Sequence, residues 1–330
     1  MQVLVYDAHS YDREFLDAAS GGDYALSYTA AALDAQTVAL AQGIPAICCF
    51  VNDDGSEPVL RQLAAGGTRL LTLRCTGFNN VDLAAAERLG ITVTRVSAYS
   101  PYAVAEFAVG LLQTLNRKIH RAFNRTRENN FRLAGLLGHD IHGKTVGVIG
   151  TGKIGAVFAR IMQGFGCTIL AYDIMQNPAC TAMGVRYTTL EELLSAADIV
   201  SLHVPLMPAT HHLINASTLA LMKPGAMLIN TSRGGLIDTE ALLDALRAGR
   251  LGAVGLDVYE EEEGLFFRDL SDKIMADEVF ARLMTFPNVL VTGHQAFFTH
   301  EAMTTIAETT IRNISDFAAG RSNENMLKPK

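Results

Sequence analysis

Short apolar runs recur along the first hundred residues, separated by stretches whose apolar positions fall three and four apart. The runs are "VLVY" from residue 3, "AICCFV" from 46, "RLLTL" from 69 and "ITVTRV" from 91. Strands alternating with helical segments predict a parallel sheet with helices on both faces. Cys48 and Cys49 fall inside one such strand and read as buried residues. After "AYSP" the pattern changes. Ser100 and Pro101 suit the N-cap and first position of a helix, and Val104, Phe107, Leu111, Leu112 and Leu115 keep helical spacing. A polar and basic stretch, "NRKIHRAFNRTRENNFRLAGLLGHDIHG", follows as a surface arm or a subunit interface. From residue 145 a second strand series runs through "TVGVIG", "TILAYD", "DIVSLHV", "AMLINT", "GAVGLDV" and "NVLVTGH". Thr189 with Glu192 forms a capping box, and Gly249 stops the helix in "EALLDALRA".

Length changes this picture from one sheet to two, since 330 residues exceed what a single core usually organises. Hydrophobic residues at 49% and charged ones at 18% exclude a disordered chain. A formal charge of -7 gives no field to attract nucleic acid or an acidic membrane. The five cysteines form no CxxC and are odd in number, so neither a disulfide framework nor a zinc site is expected, and metal is expected to play no part. The opening "MQVLVYDAHS" carries no secretory pattern and no apolar run is long enough to span a bilayer. A soluble, cytoplasmic protein is the expectation.

The stretch "TVGVIGTGKIGAVFARIMQGFGCTILAYD" is a strand, then Gly150-x-Gly152-x-x-Gly155, then an amphipathic helix, then a strand ending in Asp173. The first glycine permits a tight turn, the second lets backbone approach a pyrophosphate, and the third lets helix and strand pack closely. Lys153 and Ile154 open that helix, where N–H groups and the dipole favour phosphate. Asp173 stands where a carboxylate accepts from a ribose diol and repels a 2'-phosphate. NAD is therefore the expected cofactor, in preference to NADP.

Three further segments end strands, where ligands of doubly wound sheets gather. Arg233, in "AMLINTSRGG", precedes two glycines that suggest a chain passing close to a ligand, and its guanidinium can grip a carboxylate in two places. His294 ends the strand of "NVLVTGHQAFF". The run "DVYEEEEGLFF" supplies four glutamates, mostly expected to be solvated. An arginine, an acid and a histidine beside a nicotinamide have a chemical meaning. Hydride transfer to a ketone leaves charge growing on oxygen, which calls for a proton donor and a fixed positive group. A carboxylate bonded to the imidazole would favour its cationic form and fix its orientation.

These residues carry a resemblance. The chain resembles the D-isomer-specific 2-hydroxyacid dehydrogenases nearly end to end, and most closely the bacterial fermentative D-lactate dehydrogenases. The likeness rests on "FVNDDGS", "RCTGFNNVD", "LNRKIHRA", "GVIGTGKIG", "MKPGAMLINTSRGGLID", "DVYEEEEGLFF" and "TGHQAFF". It implies an α/β fold of two doubly wound parallel-sheet domains. One is a Rossmann-type NAD domain over 100–298, and the other a discontinuous, flavodoxin-like substrate domain over 1–99 and 299–330. It implies that Arg233 binds and polarises a 2-keto acid, that His294 is the acid/base, and that Glu262 is its partner, leaving Glu260, Glu261 and Glu263 as solvated or structural loop residues. His203, Val204, Pro205, Thr210, Thr231, Ser232 and Asp257 would line the cofactor. The amides of Thr76 and Gly77 would hold the substrate carboxylate, with Tyr99 and Phe298 walling the pocket and Phe50 on a closing side. Phe298 and Gln295 depart from residues common in relatives, which bears on side-chain preference.

The implied activity is NADH-dependent, reversible reduction of pyruvate to D-lactate, as in fermentation, by a homodimer or homotetramer. Alternatives are a dehydrogenase for glycerate or a bulkier 2-keto acid, and an NAD-sensing corepressor-like protein. The chain stops at "NENMLKPK", with no evident partner-recruiting tail.

Overall fold

The structure, a computed structural model, describes residues 1–329 and falls into two compact units, Met1–Ser100 with Phe298–Lys330, and Pro101–Phe297. The first unit contains β1 (Gln2–Val5), β2 (Ala25–Tyr28), β3 (Ala46–Cys49), β4 (Leu70–Leu73) and β5 (Thr92–Thr94). The second contains β6 (Thr145–Ile149), β7 (Thr168–Tyr172), β8 (Arg186–Tyr187), β9 (Ile199–Leu202), β10 (Ala226–Asn230), β11 (Leu251–Leu256) and β12 (Val289–Val291). A last strand, β13 (Met326–Leu327), returns to the first unit. Both units are parallel sheets flanked by helices, as the alternating runs predict.

The first sheet has the order β13-β5-β4-β3-β1-β2, all parallel except β13, which runs antiparallel to β5. Apart from β13, that is the flavodoxin-type order. The central strands β3 and β4 are buried at every position, Cys48 and Cys49 included, which is why they read as unbroken apolar runs. All five cysteines are free and buried. Helix His300–Ala318 packs Ala307, Ile311 and Ile314 against Val3, Val5, Ala46 and Leu70, so the C-terminal segment completes the N-terminal core. Asn313, fully buried, donates to the Arg95 carbonyl and accepts from Asn323 and Asn325, fixing the return of the chain to β5.

The second sheet has the order β12-β11-β10-β9-β6-β7-β8, a Rossmann order extended by one strand. Its strands send alternate residues into two cores. Val146 and Val148 pack on one side with Phe158 and Met162, while Ile149, Val200, Leu228 and Val254 pack on the other with Leu193 and Leu243. The strand order reverses between β6 and β9, which is where such folds open a ligand crevice.

Helix Pro101–Arg117 begins as expected, burying Val104, Leu111, Leu112 and Leu115. The basic stretch after it forms helix Ile119–Arg127, none of whose residues is buried. Gly249, at φ +66°, follows helix Thr239–Arg247. The capping box at Thr189 is only half made. Its hydroxyl accepts from the Glu192 amide at 3.2 Å, but the Glu192 carboxylate takes the Thr188 hydroxyl instead of reaching back to the cap. Two short strands, β2 and β8, and the two-residue β13 have too few apolar residues to announce themselves. Among the described residues no helix is long and apolar enough to cross a membrane.

Candidate active site

The glycine turn lies at the switch point of the second sheet. Gly150, at φ +94°, follows β6, and a Cβ there would stand 2.7 Å from the His203 carbonyl at the end of β9. Gly155 is packed harder still, since a Cβ would come within 1.9 Å of the Gly150 carbonyl oxygen. Gly152 is different: a Cβ would meet nothing within 4 Å. It caps helix Lys153–Gly164 with no side-chain hydrogen bond to the first-turn amides, which are left for a ligand. Asp173, at the end of β7, accepts from the Thr151 amide at 2.6 Å and hydroxyl at 3.1 Å, and from the Met175 amide at 3.2 Å. A carboxylate has about four acceptor positions, so one remains. The His203 Nδ1 and Thr231 Oγ1 atoms are buried with no hydrogen-bond partner. A cradle free of side chain, an anchored acid and two orphaned polar atoms fit a dinucleotide. Thr210 closes the turn after Val204 and Pro205 through its hydroxyl, which donates to the Pro205 carbonyl at 2.6 Å.

Three neighbouring strands then end in linked turns. The Asp257 amide, just past β11, donates to the Asn230 carbonyl at the end of β10, and the His294 amide, just past β12, donates to the Asp257 carbonyl at 2.7 Å. After β10, buried Asn230 shapes the arginine turn: its side chain accepts from the Ser232 amide and donates to the Arg233 carbonyl. Ser232 is tied to the Leu202 carbonyl, and half-buried Arg233 donates to the Ser232 carbonyl at 2.6 Å. The first glycine after Arg233 answers a packing demand within the chain. A Cβ on Gly234 would sit 2.0 Å from the Tyr259 carbonyl carbon and oxygen, so Gly234 lets the arginine turn lie directly against the glutamate segment.

That segment is far from a simple solvated run. Tyr259 and Phe266 are buried with Phe280, so the flanking aromatics pin the loop. Glu262 is thereby directed at His294, its Oε1 standing 2.8 Å from Nδ1, while Oε2 accepts from the Tyr259 amide at 3.2 Å. The two side chains are only 15% and 17% exposed, so the contact is largely shielded from solvent. Glu260 is joined to His212 and to the amide and hydroxyl of Thr239, whereas Glu261 and Glu263 are exposed.

His294 holds a left-handed backbone at φ +54°, an uncommon state for a residue with a side chain. Asp257 stabilises it. This fully buried carboxylate accepts from the Thr292 hydroxyl at 2.6 Å and from the Gln295 and Ala296 amides at 2.9 and 2.8 Å, closing the turn around the histidine. Burial pushes its carboxyl above the usual range, and these three donors oppose the shift. Asn230 and the three donors to Asp257 escaped sequence reasoning; a polar residue ending an apolar strand was the available signal.

In the first unit the loop after β4 presents Thr76 and Gly77, whose amides make no hydrogen bond within the described chain. Arg95 fixes that loop by donating to the Thr76 carbonyl and lying over the Phe78 ring. Arg74 just before it, 2% exposed, bonds to Asp12 and to the Asp7 carbonyl and covers the Phe50 ring. Tyr99 is half-buried, and Phe298, 48% exposed, meets Tyr11 edge-on at 4.8 Å.

Residues 109–296 match the family model of the D-isomer specific 2-hydroxyacid dehydrogenase NAD-binding domain. The chain is 50% identical, over the full length of both, to a 2-hydroxyacid dehydrogenase homolog of Haemophilus influenzae. It superposes on the apo-structure of D-lactate dehydrogenase from Escherichia coli with a TM-score of 0.92 and 47% identity, covering 99% of this chain and 100% of that one. The corresponding values for the Aquifex aeolicus D-lactate dehydrogenase, solved with NAD and lactic acid, are 0.88 and 32%, over 99% of each chain. The fold, the glycine cradle and these likenesses converge: the chain belongs to the D-isomer-specific 2-hydroxyacid dehydrogenases and is an NAD-dependent oxidoreductase of the D-lactate dehydrogenase type.

Proposed function

We propose that the protein interconverts pyruvate and D-lactate, with His294 as the acid/base. The observation that carries this reading is the shielded His294–Glu262 pair, set on a turn that Asp257 closes and adjoining the Arg233 turn through Gly234. Glu262 on Nδ1 fixes the tautomer and the orientation of the ring, leaving Nε2 to give a proton to the substrate oxygen. Arg233 supplies positive charge for the keto acid and for the alkoxide forming from it. The free amides of Thr76 and Gly77 suit the substrate carboxylate, and Tyr99 and Phe298 limit the side chain to a small one. NAD, when bound, supplies or accepts the hydride. Its pyrophosphate suits the amides at 152–155, its adenine ribose Asp173, and its remainder His203, Val204, Pro205, Thr210, Thr231 and Ser232. Asp257 acts by holding the histidine turn.

The preference for pyruvate is supported by likeness to proteins named D-lactate dehydrogenase, although other close relatives carry only the broader 2-hydroxyacid name. NADH consumption with pyruvate, hydroxypyruvate and 2-ketoisocaproate, followed by chiral analysis of the product, tests it. Pyruvate turned over fastest, to the D acid, is the expected result. A faster rate with either larger acid would move the assignment, and tight NADH binding without turnover of any would favour a sensor. A homo-oligomer is also proposed, supported by the exposed apolar residues Phe123, Phe131, Leu133 and Leu137 along the basic stretch. Sedimentation velocity showing only monomer would refute it.

A further inference from the structure

Among the described residues the fold gathers a group of side chains, distant in sequence, whose donor atoms could hold a metal ion. His211 and His212 follow the turn closed by Thr210, and Glu260 reaches them from the glutamate segment 48 positions away. One donor atom from each residue lies within 4.8 Å of the other two. We propose that His211, His212 and Glu260 bind a divalent transition-metal ion of the zinc class.

Several features prepare the donors. The imidazoles stack with centroids 3.9 Å apart and planes at 24°, which brings their donor atoms close, and one ring turns out of the stack to share an ion. His212 adopts a left-handed backbone at φ +50°, held by its amide bond to the Gly235 carbonyl and by Asn215, whose side chain donates to the His212 carbonyl. Strain of that kind in a non-glycine residue persists only where surrounding contacts enforce it, and here it turns His212 Nε2 toward Glu260. The other carboxylate oxygen of Glu260 accepts from the Thr239 amide at 3.3 Å and hydroxyl at 3.0 Å. Such outer partners orient a metal-binding carboxylate.

Two imidazoles and one carboxylate make a donor set suited to zinc, cobalt or nickel, and poorly suited to magnesium or calcium, which prefer oxygen. With bonds of about 2.0–2.2 Å, tetrahedral donors stand roughly 3.3 Å apart, so the widest pair closes by about 1.5 Å while His212 Nε2 and Glu260 Oε1 part and exchange their hydrogen bond for the ion. His211, the exposed member, leaves its stack on His212 to swing in, and water completes the fourth position. The ion would bridge the 205–212 turn to the segment that carries Glu262, outside the reacting centre.

Co2+ is the probe, titrated into the untagged full-length protein and followed by visible absorption, with Zn2+ binding measured by calorimetry. One ion per chain is expected, with the intense bands of a four-coordinate site. His211→Gln should weaken binding about tenfold or more while leaving the melting temperature of the metal-free protein unchanged. Glu260→Gln should also weaken it, with circular dichroism checking that the fold survives, and His294→Gln should leave it intact. No saturable binding below millimolar Co2+, or undiminished affinity in His211→Gln, would overturn the proposal.

Discussion

At the scale of the residue, the proposed chemistry rests on a histidine with its orientation enforced from two directions. Glu262 holds Nδ1 at 2.8 Å, and Asp257 holds the left-handed turn on which the ring stands. His294→Gln removes the proton donor, so kcat for pyruvate reduction should fall by about 10²–10⁴-fold with little change in NADH affinity. Glu262→Gln keeps the hydrogen bond and loses the charge, so a smaller drop, about tenfold to hundredfold, is expected. Stopped-flow single turnovers would separate this from product release, and an unaltered chemical step in either variant would remove that residue from the mechanism. Asp257→Asn turns one acceptor into a donor facing a backbone amide. The expected cost is about 1–3 kcal/mol, read as a lower urea midpoint. The strand-end positions of Arg233 and His294 were legible in sequence. Choosing Glu262 among four adjacent glutamates required the family resemblance, because the selection is made by buried Tyr259 and Phe266, which set the loop's path.

Elements explain why the three glycines of the fingerprint are not equivalent. A methyl on Gly155 would stand 1.9 Å from the Gly150 carbonyl oxygen, so Gly155→Ala must push the helix from the strand. A loss of about 1–3 kcal/mol follows from such overpacking, measurable as a lower melting temperature in the absence of cofactor. Gly152→Ala adds its methyl to open space at an ordinary φ of -64° and should leave that temperature nearly unchanged. It should instead weaken NADH by tenfold or more, measured by fluorescence titration, since the methyl would enter the place proposed for the pyrophosphate. Equal stability losses in the two variants would show the assignment of roles to be mistaken. This motif was readable because it is local: strand, turn and helix are consecutive. The packing role of Gly234 was hidden for the complementary reason, since what it approaches is backbone at 259–260, distant in sequence.

For the whole molecule, a buried histidine makes stability depend on pH. His203 packs against Phe158 with ring centroids 4.9 Å apart, and burial pulls its pKa down to about 3. The folded protein therefore keeps the ring neutral while the unfolded chain protonates it near pH 6.5. This contribution is complete above pH 6.5 and is lost progressively as pH falls from 6.5 toward 3. Between pH 7 and pH 5 it amounts to about 1–2 kcal/mol, and urea unfolding at the two values would measure it. His203→Gln should flatten that dependence, and an identical slope would assign the acid lability elsewhere.

The sequence by itself determined the strand and helix alternation, the glycine fingerprint and its acid, and the positions of Arg233 and His294 at strand ends. Each of these follows from periodicity or spacing within a few tens of residues, which is the range over which backbone geometry is dictated locally. Tertiary structure alone decided which glutamate meets the histidine, why Gly234 must be glycine, how Asp257 and Asn230 build the two turns, and that His211 and His212 share a corner with Glu260. Those outcomes depend on parallel strands placing distant chain segments side by side, and no periodicity in the sequence encodes which segments become neighbours.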